Sequence, residues 1–403
     1  MSAREHFETL PHARAPFAAR AVLALLGRIT EGRLAVELPD GSRRHFGSGN
    51  PCATLSVADW RLFDAVLRRG DIGFAESFLD GDWSSPDLPK LLGLAAANRD
   101  ALDRAVYGSL LGRLAARIRH ALNANTRRGS RRNIAAHYDL GNDFYALWLD
   151  PSMSYSSALF GADRAQTLEA AQAAKYARVL ARLAPRPGES VLEIGCGWGA
   201  FAETAARDHG CRVTGLTLSA EQARYCGERF RRAGLEDRVQ VAIRDYRDER
   251  GTYDHVVSIE MFEAVGERYW PAYFATLARA LKPGGRAVVQ SITIAERLFE
   301  RYRAGSDFIQ RYVFPGGMLA SPSRFRALAS QAGLEVTGEH AFGPDYAETL
   351  RRWRRAFHER LGEVRALGYD ERFLRLWDFY LAYCEAGFET RCTDVHHFEL
   401  ARR

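Results

Sequence analysis

From residue 188 onward, short apolar runs alternate with longer amphipathic ones. SVLEI, CRVTGLT, RVQVAI, YDHVVSI and RAVVQSI are brief and rich in β-branched residues. Between most of them lie stretches with apolar positions at helical spacing, such as SAEQARYCGERFRRAG and YWPAYFATLARAL. The short runs predict strands and the long ones helices. Strands alternating with helices predict an α/β protein with a parallel, doubly wound, Rossmann-like sheet. LKPGG reads as a helix end, where Pro and Gly turn the chain into a strand. The region from about 346 to 390 reads as helical, rich in aromatic residues and Arg.

The N-terminal part carries a different pattern. In RLAVELPDGSRRHFG, alternating apolar residues flank Pro39-Asp40-Gly41, which predicts a hairpin. Helical patterns follow in VADWRLFDAVLRRG and LPKLLGLAAAN. A chain of 403 residues exceeds one ordinary core, so two domains are expected. Residues 1–120 read as a smaller α+β accessory domain without a catalytic constellation, and residues 133–403 as the main domain. Between them, 121–132 is polar and basic and reads as a linker. Its Arg127, Arg128, Arg131 and Arg132 are either a solvated face or a contact for phosphates.

Composition narrows the class. Hydrophobic content of 47% and charged content of 26% fit a soluble globular protein. The net charge of +6 comes almost wholly from Arg, with Lys only at Lys90, Lys175 and Lys282. A coding bias accounts for that, yet a basic surface still favours anionic partners such as acidic lipid. The six cysteines show neither a CxxC pair nor metal-ligand spacing, so reduced thiols in the cytoplasm are expected, and no metal. No apolar run approaches a membrane span. Glu5 and Glu8 ahead of AVLALLG argue against a cleaved leader.

The sharpest chemical signal is Glu193-Ile194-Gly195-Cys196-Gly197-Trp198-Gly199, a glycine loop between a strand and a helix. With Ala200 it fits the dinucleotide pattern G-x-G-x-x-A. A dinucleotide would need an acid after the second strand for its ribose. That strand ends Gly215-Leu216-Thr217-Leu218-Ser219, with no acid. Acids stand instead at Glu193, before the first glycine, and at Asp245, after the third strand. This arrangement suits one adenosine with a zwitterionic tail, S-adenosylmethionine.

At these residues the chain resembles the cyclopropane-fatty-acyl-phospholipid synthases and mycolic acid cyclopropane synthases. The likeness runs through HYDLGNDFYALWLDPSMSYSSALF, VLEIGCGWGAFA, GLTLSAEQ, RDYRD, SIEMFEAVG, FIQRYVFPGG and FGPDYAETL, in family order. GFAESFLDGDW resembles the accessory, lipid-facing domain of the bacterial phospholipid enzymes. The resemblance implies methyl transfer from S-adenosylmethionine to the double bond of an unsaturated acyl chain in a phospholipid. With no membrane span, the enzyme is expected at the inner face of the membrane, where the basic linker and Arg351, Arg352, Arg354 and Arg355 should attract anionic headgroups. No nucleic-acid partner is expected, and a homodimer is left open. Carried over by position, Tyr155, Ser156, Glu193, Gly195, Cys196, Gly197, Thr217, Leu218, Ser219, Gln222, Asp245 and Tyr246 would meet the cofactor. Gln222 would stand in for the missing ribose acid, and Asp245 would lie at the adenine.

Methyl transfer to an alkene leaves a carbocation that must lose a proton. Aromatic faces can stabilise such a cation, and Phe144, Tyr155, Trp198, Phe262, Tyr312, Phe314 and Tyr346 are candidates. In the family the base is a bicarbonate ion held by a glutamate, a histidine, a tyrosine, a cysteine and main-chain groups. Here Glu263 matches the glutamate and Tyr346 the tyrosine, but Gln290 replaces the histidine and Ser157 the cysteine. The substitutions leave two products open, a cyclopropane and a methyl- or methylene-branched chain, with a lean toward branching. Two further readings compete: a small-molecule or RNA methyltransferase, and a lipid-binding protein without catalysis. FPGG and HYDLGNDFY speak against the first, and the intact glycine loop against the second.

Overall fold

The computed structural model describes residues 15–106 and 140–402. The chain divides into two compact units, Met1–Ser109 and Leu110–Arg403. The basic linker expected at 121–132 lies outside the described residues.

In the first unit, β1 (Gly32–Glu37) and β2 (Arg43–Ser48) form the expected antiparallel hairpin. The tip turns at Gly41, which takes a φ of +82°, and Asp40 accepts hydrogen bonds from the Ser42 amide and hydroxyl. β3 (Cys52–Val57) lies parallel to β1 and pairs with the short β4 (Trp83–Ser84), giving the order β2-β1-β3-β4. The helices Arg61–Leu79 and Leu88–Ala97 cover the two stretches read as helical. The first kinks at Gly70, whose φ of +59° and ψ of −133° break the helical path.

The second unit is built on a seven-stranded sheet in the order β10-β11-β9-β8-β5-β6-β7. β5 (Ser190–Ile194), β6 (Arg212–Thr217), β7 (Val239–Ile243), β8 (Tyr253–Ile259) and β9 (Leu281–Ile294) run parallel and correspond to the five apolar runs. The sheet is the doubly wound α/β sheet that the pattern predicts. Because side chains alternate along β5, Val191 enters one core layer with Phe201 and Phe230, and Leu192 the other with Phe274 and Trp270. LKPGG departs from expectation. The helix stops at Ala280, and Lys282-Pro283-Gly284-Gly285 already belongs to β9, where a register shift after Tyr253 absorbs the irregular backbone.

Two antiparallel strands, β10 (Leu334–Ala341) and β11 (Thr393–Arg402), extend this sheet beyond β9. They were not legible in the apolar pattern. β10 buries only Leu334, its other residues alternating between half-buried and exposed, and β11 buries His396 and His397 beside Phe398. The helices Gly343–Glu359 and Glu371–Glu389 fill the region read as helical. Their arginines are largely committed within this layer. Arg351 pairs with Glu348, Glu385 and Glu389, Arg352 with Glu348, and Arg354 with Asp378.

Candidate active site

The segment DPSMSYSSALF belongs to no helix or strand, and Arg229 ties it to the glycine loop by donating to the Ser152 and Trp198 carbonyls at 2.7 and 3.3 Å. Its backbone is pinned from the helix Leu168–Leu183. The Gln172 amide donates to the carbonyls of Ser154 and Ser156, and Lys175 donates to the Ser156 hydroxyl at 2.5 Å. The Tyr155 ring packs among Tyr145, Trp148 and Trp353, and its hydroxyl meets that of Tyr380 at 2.7 Å.

Gly195 and Gly197 take φ values of +85° and +51°, which glycine adopts freely. A Cβ on Gly195 would lie 2.9 Å from Met261 Cγ, so the loop sits against the segment after β8. A Cβ on Gly197 meets nothing within 4 Å, so that glycine fronts open space rather than protein. Cys196 turns its side chain toward Gly215 on β6, and its main chain is engaged within the protein, the N–H donating to the Leu216 carbonyl at 2.9 Å and the carbonyl accepting from the Gly199 N–H at 2.8 Å. Past β6, Thr217 donates to Gln222 Oε1 at 2.8 Å, and the Ser219 hydroxyl caps the helix by accepting from the Gln222 amide. With its carbonyl taken, Gln222 offers its Nε2 donor. Leu218 stands between these residues in the chain. Asp245 is gripped by Arg247 at 2.8 and 2.6 Å, and Tyr246 packs edge-on to Tyr273.

One acid on this side has an incomplete shell. Glu193 is buried, and its Oε2 has no hydrogen-bond partner. Burial pushes its carboxyl well above the usual range. A buried acceptor without a donor, next to a glycine loop that opens onto free space, fits a ligand carrying an ammonium or hydroxyl group. S-adenosylmethionine carries both.

The residues expected around the base do converge, but on a side chain that the sequence reading had passed over. The Ser157 amide donates to Glu260 Oε1 at 2.8 Å, and Gln290 Nε2 donates to the same oxygen at 2.7 Å. The Tyr346 hydroxyl donates to Glu260 Oε2 at 2.6 Å. Glu260 follows β8 with a φ of +50°, rare outside glycine. The Ser157 hydroxyl takes no part and donates instead to the Ala158 carbonyl at 2.9 Å. The donors expected to hold bicarbonate therefore already hold a carboxylate of the chain itself. The residues present do not fit a bound bicarbonate.

Glu263, expected as the glutamate of that site, neighbours Glu260 but shares none of these donors. Its Oε1 accepts from the Ile292 amide and the Ser291 hydroxyl, and its Oε2 is buried without a partner. Burial, together with the neighbouring Glu260 charge, pushes its carboxyl up to about 8. Burial also raises Glu260, but Tyr346, the Ser157 amide, Lys175 and Gln290 all pull it back toward the ionised form. Two acids three residues apart in the chain thus differ in surroundings: one is ringed by donors and the other is held mostly neutral. Lys175 is fully buried, and burial lowers it to about 8 against the pull of Glu260, Asp150 and Glu193.

The candidate aromatics divide. Phe262 enters the core among Trp270, Tyr273, Phe274 and Phe325. Phe144 is likewise buried, among Trp377, Tyr369 and Phe373. Tyr346 faces Glu260 and stacks on Phe388. Trp198 packs on Tyr145, Tyr312 on Phe308 and Phe314 on Tyr380. Glu260, Lys175 and His397 are what the sequence reading missed. One signal was available for Glu260: it stands just past the carboxyl end of a parallel strand, where such sheets bind ligands.

A doubly wound sheet, a glycine loop after its first strand and a buried cluster of acids beside that loop define a methyltransferase that uses S-adenosylmethionine. Residues 125–398 match the mycolic acid cyclopropane synthetase family, and the chain belongs to it. It is 40% identical to the tuberculostearic acid methyltransferase UfaA1 of Mycobacterium tuberculosis, over 96% of this chain and 93% of that one. It is 35% identical to the cyclopropane-fatty-acyl-phospholipid synthase of Escherichia coli, over 85% and 86% of the two chains. The mycolic acid cyclopropane synthase CmaA1, solved with SAH and CTAB, superposes with a TM-score of 0.63 at 31% identity, covering 68% of this chain and 98% of that one.

Proposed function

We propose that this enzyme methylates the double bond of an unsaturated acyl chain in a phospholipid, takes the resulting proton on Glu260 and releases a branched acyl product. The convergence of Ser157, Gln290 and Tyr346 on Glu260 carries this reading. When bound, S-adenosylmethionine supplies a sulfonium methyl; the alkene π pair takes it, the carbon–sulfur bond breaks to the thioether, and a cationic carbon is left on the acyl chain. Glu260 Oε1 accepts two hydrogen bonds, which fills its two lone pairs. Oε2 accepts only from Tyr346 among the bonds described, so it keeps room for a proton. As that proton leaves a neighbouring carbon, its bonding pair forms the new carbon–carbon double bond. The Tyr346 hydroxyl holds Oε2 in place through the transfer.

A tethered base reaches the cation from one fixed direction, unlike a diffusible ion. The relative UfaA1, matched over 96% of this chain at 40% identity, is named a methyltransferase rather than a cyclopropane synthase. Both points support branching over ring closure. The lipid is reached from the membrane surface: no described helix is long and apolar enough to cross a membrane. With Arg351, Arg352 and Arg354 paired internally, attraction to anionic headgroups falls to Arg355 and to the basic linker.

Proton NMR of lipid from a host expressing the enzyme tests the product. Vinylic and branched-methyl signals are expected, at a rate indifferent to bicarbonate. Ring protons alone, with activity that requires bicarbonate, would overturn both the product and the base.

A further inference from the structure

Gln290 and His397 face each other across β9 and β11 and are both fully buried. His397 Nδ1 lies 3.0 Å from Arg178 Nη1, and His397 Nε2 lies 2.8 Å from Gln290 Oε1. A guanidinium only donates, so Nδ1 must accept. The imidazole is then neutral, with its hydrogen on Nε2, and that hydrogen goes to Gln290 Oε1. The other end of the amide is thereby turned toward Glu260, where Nε2 donates to Oε1 at 2.7 Å. Arg178 itself is held by Glu399 at 3.1 Å, which Arg182 also reaches at 3.2 Å.

The two ends of a carboxamide have nearly the same shape, so sterics alone do not choose between them. Polarity does. Turned over, Gln290 would present its oxygen to Glu260, and only a protonated carboxyl could make that contact. We propose that His397, its tautomer set by Arg178, is a positioning residue that locks the Gln290 amide donor-first onto Glu260 and so keeps this carboxylate in its proton-accepting form. The proposal rests on the reading of Glu260 as the base.

The surroundings agree. Arg178 and Lys175 on the helix Leu168–Leu183, His340 on β10 and His396 on β11 itself all oppose a proton on His397, and burial opposes it most. Phe342 packs against the ring at 4.7 Å. Around Glu260, Lys175 and Tyr346 favour the ionised form, and Glu263 is mostly neutral.

Nitrogen NMR of the full-length protein, labelled with 15N-histidine, reads the tautomer directly, with His397→Phe assigning the signal. The Nε2–H form is expected from about pH 6 to about pH 9. Arg178→Met should mix in the Nδ1–H form, and Arg178→Lys, which keeps a donor, should not. In the pH profile of kcat, His397→Phe should move the acidic midpoint up by about one unit, a roughly tenfold gain in proton affinity. In a Gln290→Leu background the same change should move it no further. An Nδ1–H or imidazolium form in the unmutated protein would overturn the proposal. So would a uniform loss of kcat in His397→Phe with the midpoint unmoved. A Glu260→Gln variant with full activity would defeat the base assignment instead; the tautomer, read on the resting protein, separates the two failures.

Discussion

The main-chain N–H of Ser157 points at Glu260 Oε1 from 2.8 Å, while the hydroxyl of the same residue turns away to the Ala158 carbonyl at 2.9 Å. What this position contributes to the site is backbone. Ser157→Ala should therefore keep its rate within about threefold, less than roughly 1 kcal/mol. Ser157→Pro removes the N–H and should lower kcat by about 10²-fold or more. Steady-state kinetics checks both, and a large loss in the alanine variant would place the hydroxyl in the chemistry.

Glu260→Gln should lower kcat by about 10²- to 10⁴-fold, roughly 3 to 5 kcal/mol, while calorimetry shows unchanged S-adenosylmethionine binding. Glu263→Gln should cost less than about tenfold, because that carboxyl is mostly neutral at pH 7 already. The reverse order of losses would make Glu263 the base.

Stability should vary with pH in a way that isolates Glu263. Its carboxyl titrates at an ordinary 4.5 when unfolded and at about 8 when folded. The folded protein thus binds this proton more tightly. The resulting stabilisation is full below 4.5 and is lost as pH rises through 8, on the order of a few kcal/mol in all. Lys175, lowered from 10.5 to about 8, acts oppositely: its contribution is full above 10.5 and fades as pH falls through 8. Comparing Glu263→Gln with the parent cancels the lysine. Thermal melts should show the parent losing stability relative to the variant between about pH 5 and about pH 9. Parallel curves would contradict the raised value.

The glycines of the cofactor loop should separate by mechanism. A Cβ at Gly199 would meet Phe230 Cζ at 2.6 Å, so Gly199→Ala should destabilise the fold by about 1 to 3 kcal/mol in chemical denaturation. At Gly197 the space is open. Gly197→Arg should leave the protein folded and abolish S-adenosylmethionine binding by filling that space. Retained affinity in calorimetry would remove this loop from the cofactor site.

The central parallel strands β5 and β8 were readable because they are buried on both faces, and the sequence shows that as a nearly unbroken apolar run. The edge strand β7 was readable from its β-branched residues, although it exposes Gln240 and Ile243. β11 was not, because its central residues include His396 and His397, buried through contacts with Glu339 and Gln290 that lie far off in the chain. The donors of the base site could be picked out by likeness to a family motif. Their target could not. In SIEMFEAVG, Glu260 and Glu263 are both acids near a strand end, and only the backbone decides which one turns toward Ser157, Gln290 and Tyr346.

That backbone has a consequence of its own. Glu260 sits at a φ of +50°, which costs a side-chain-bearing residue about 1 kcal/mol and glycine almost nothing. Glu260→Gly would therefore relax the chain and leave a carboxylate-sized hollow with the Ser157, Gln290 and Tyr346 donors still aimed into it. Such a vacated cradle is a receptor for small oxyanions. Formate, acetate or bicarbonate added to the glycine variant should restore turnover in a saturable way, with each anion's basicity setting the recovered rate. The attached base would then have become an exchangeable reagent, chosen by whoever prepares the buffer.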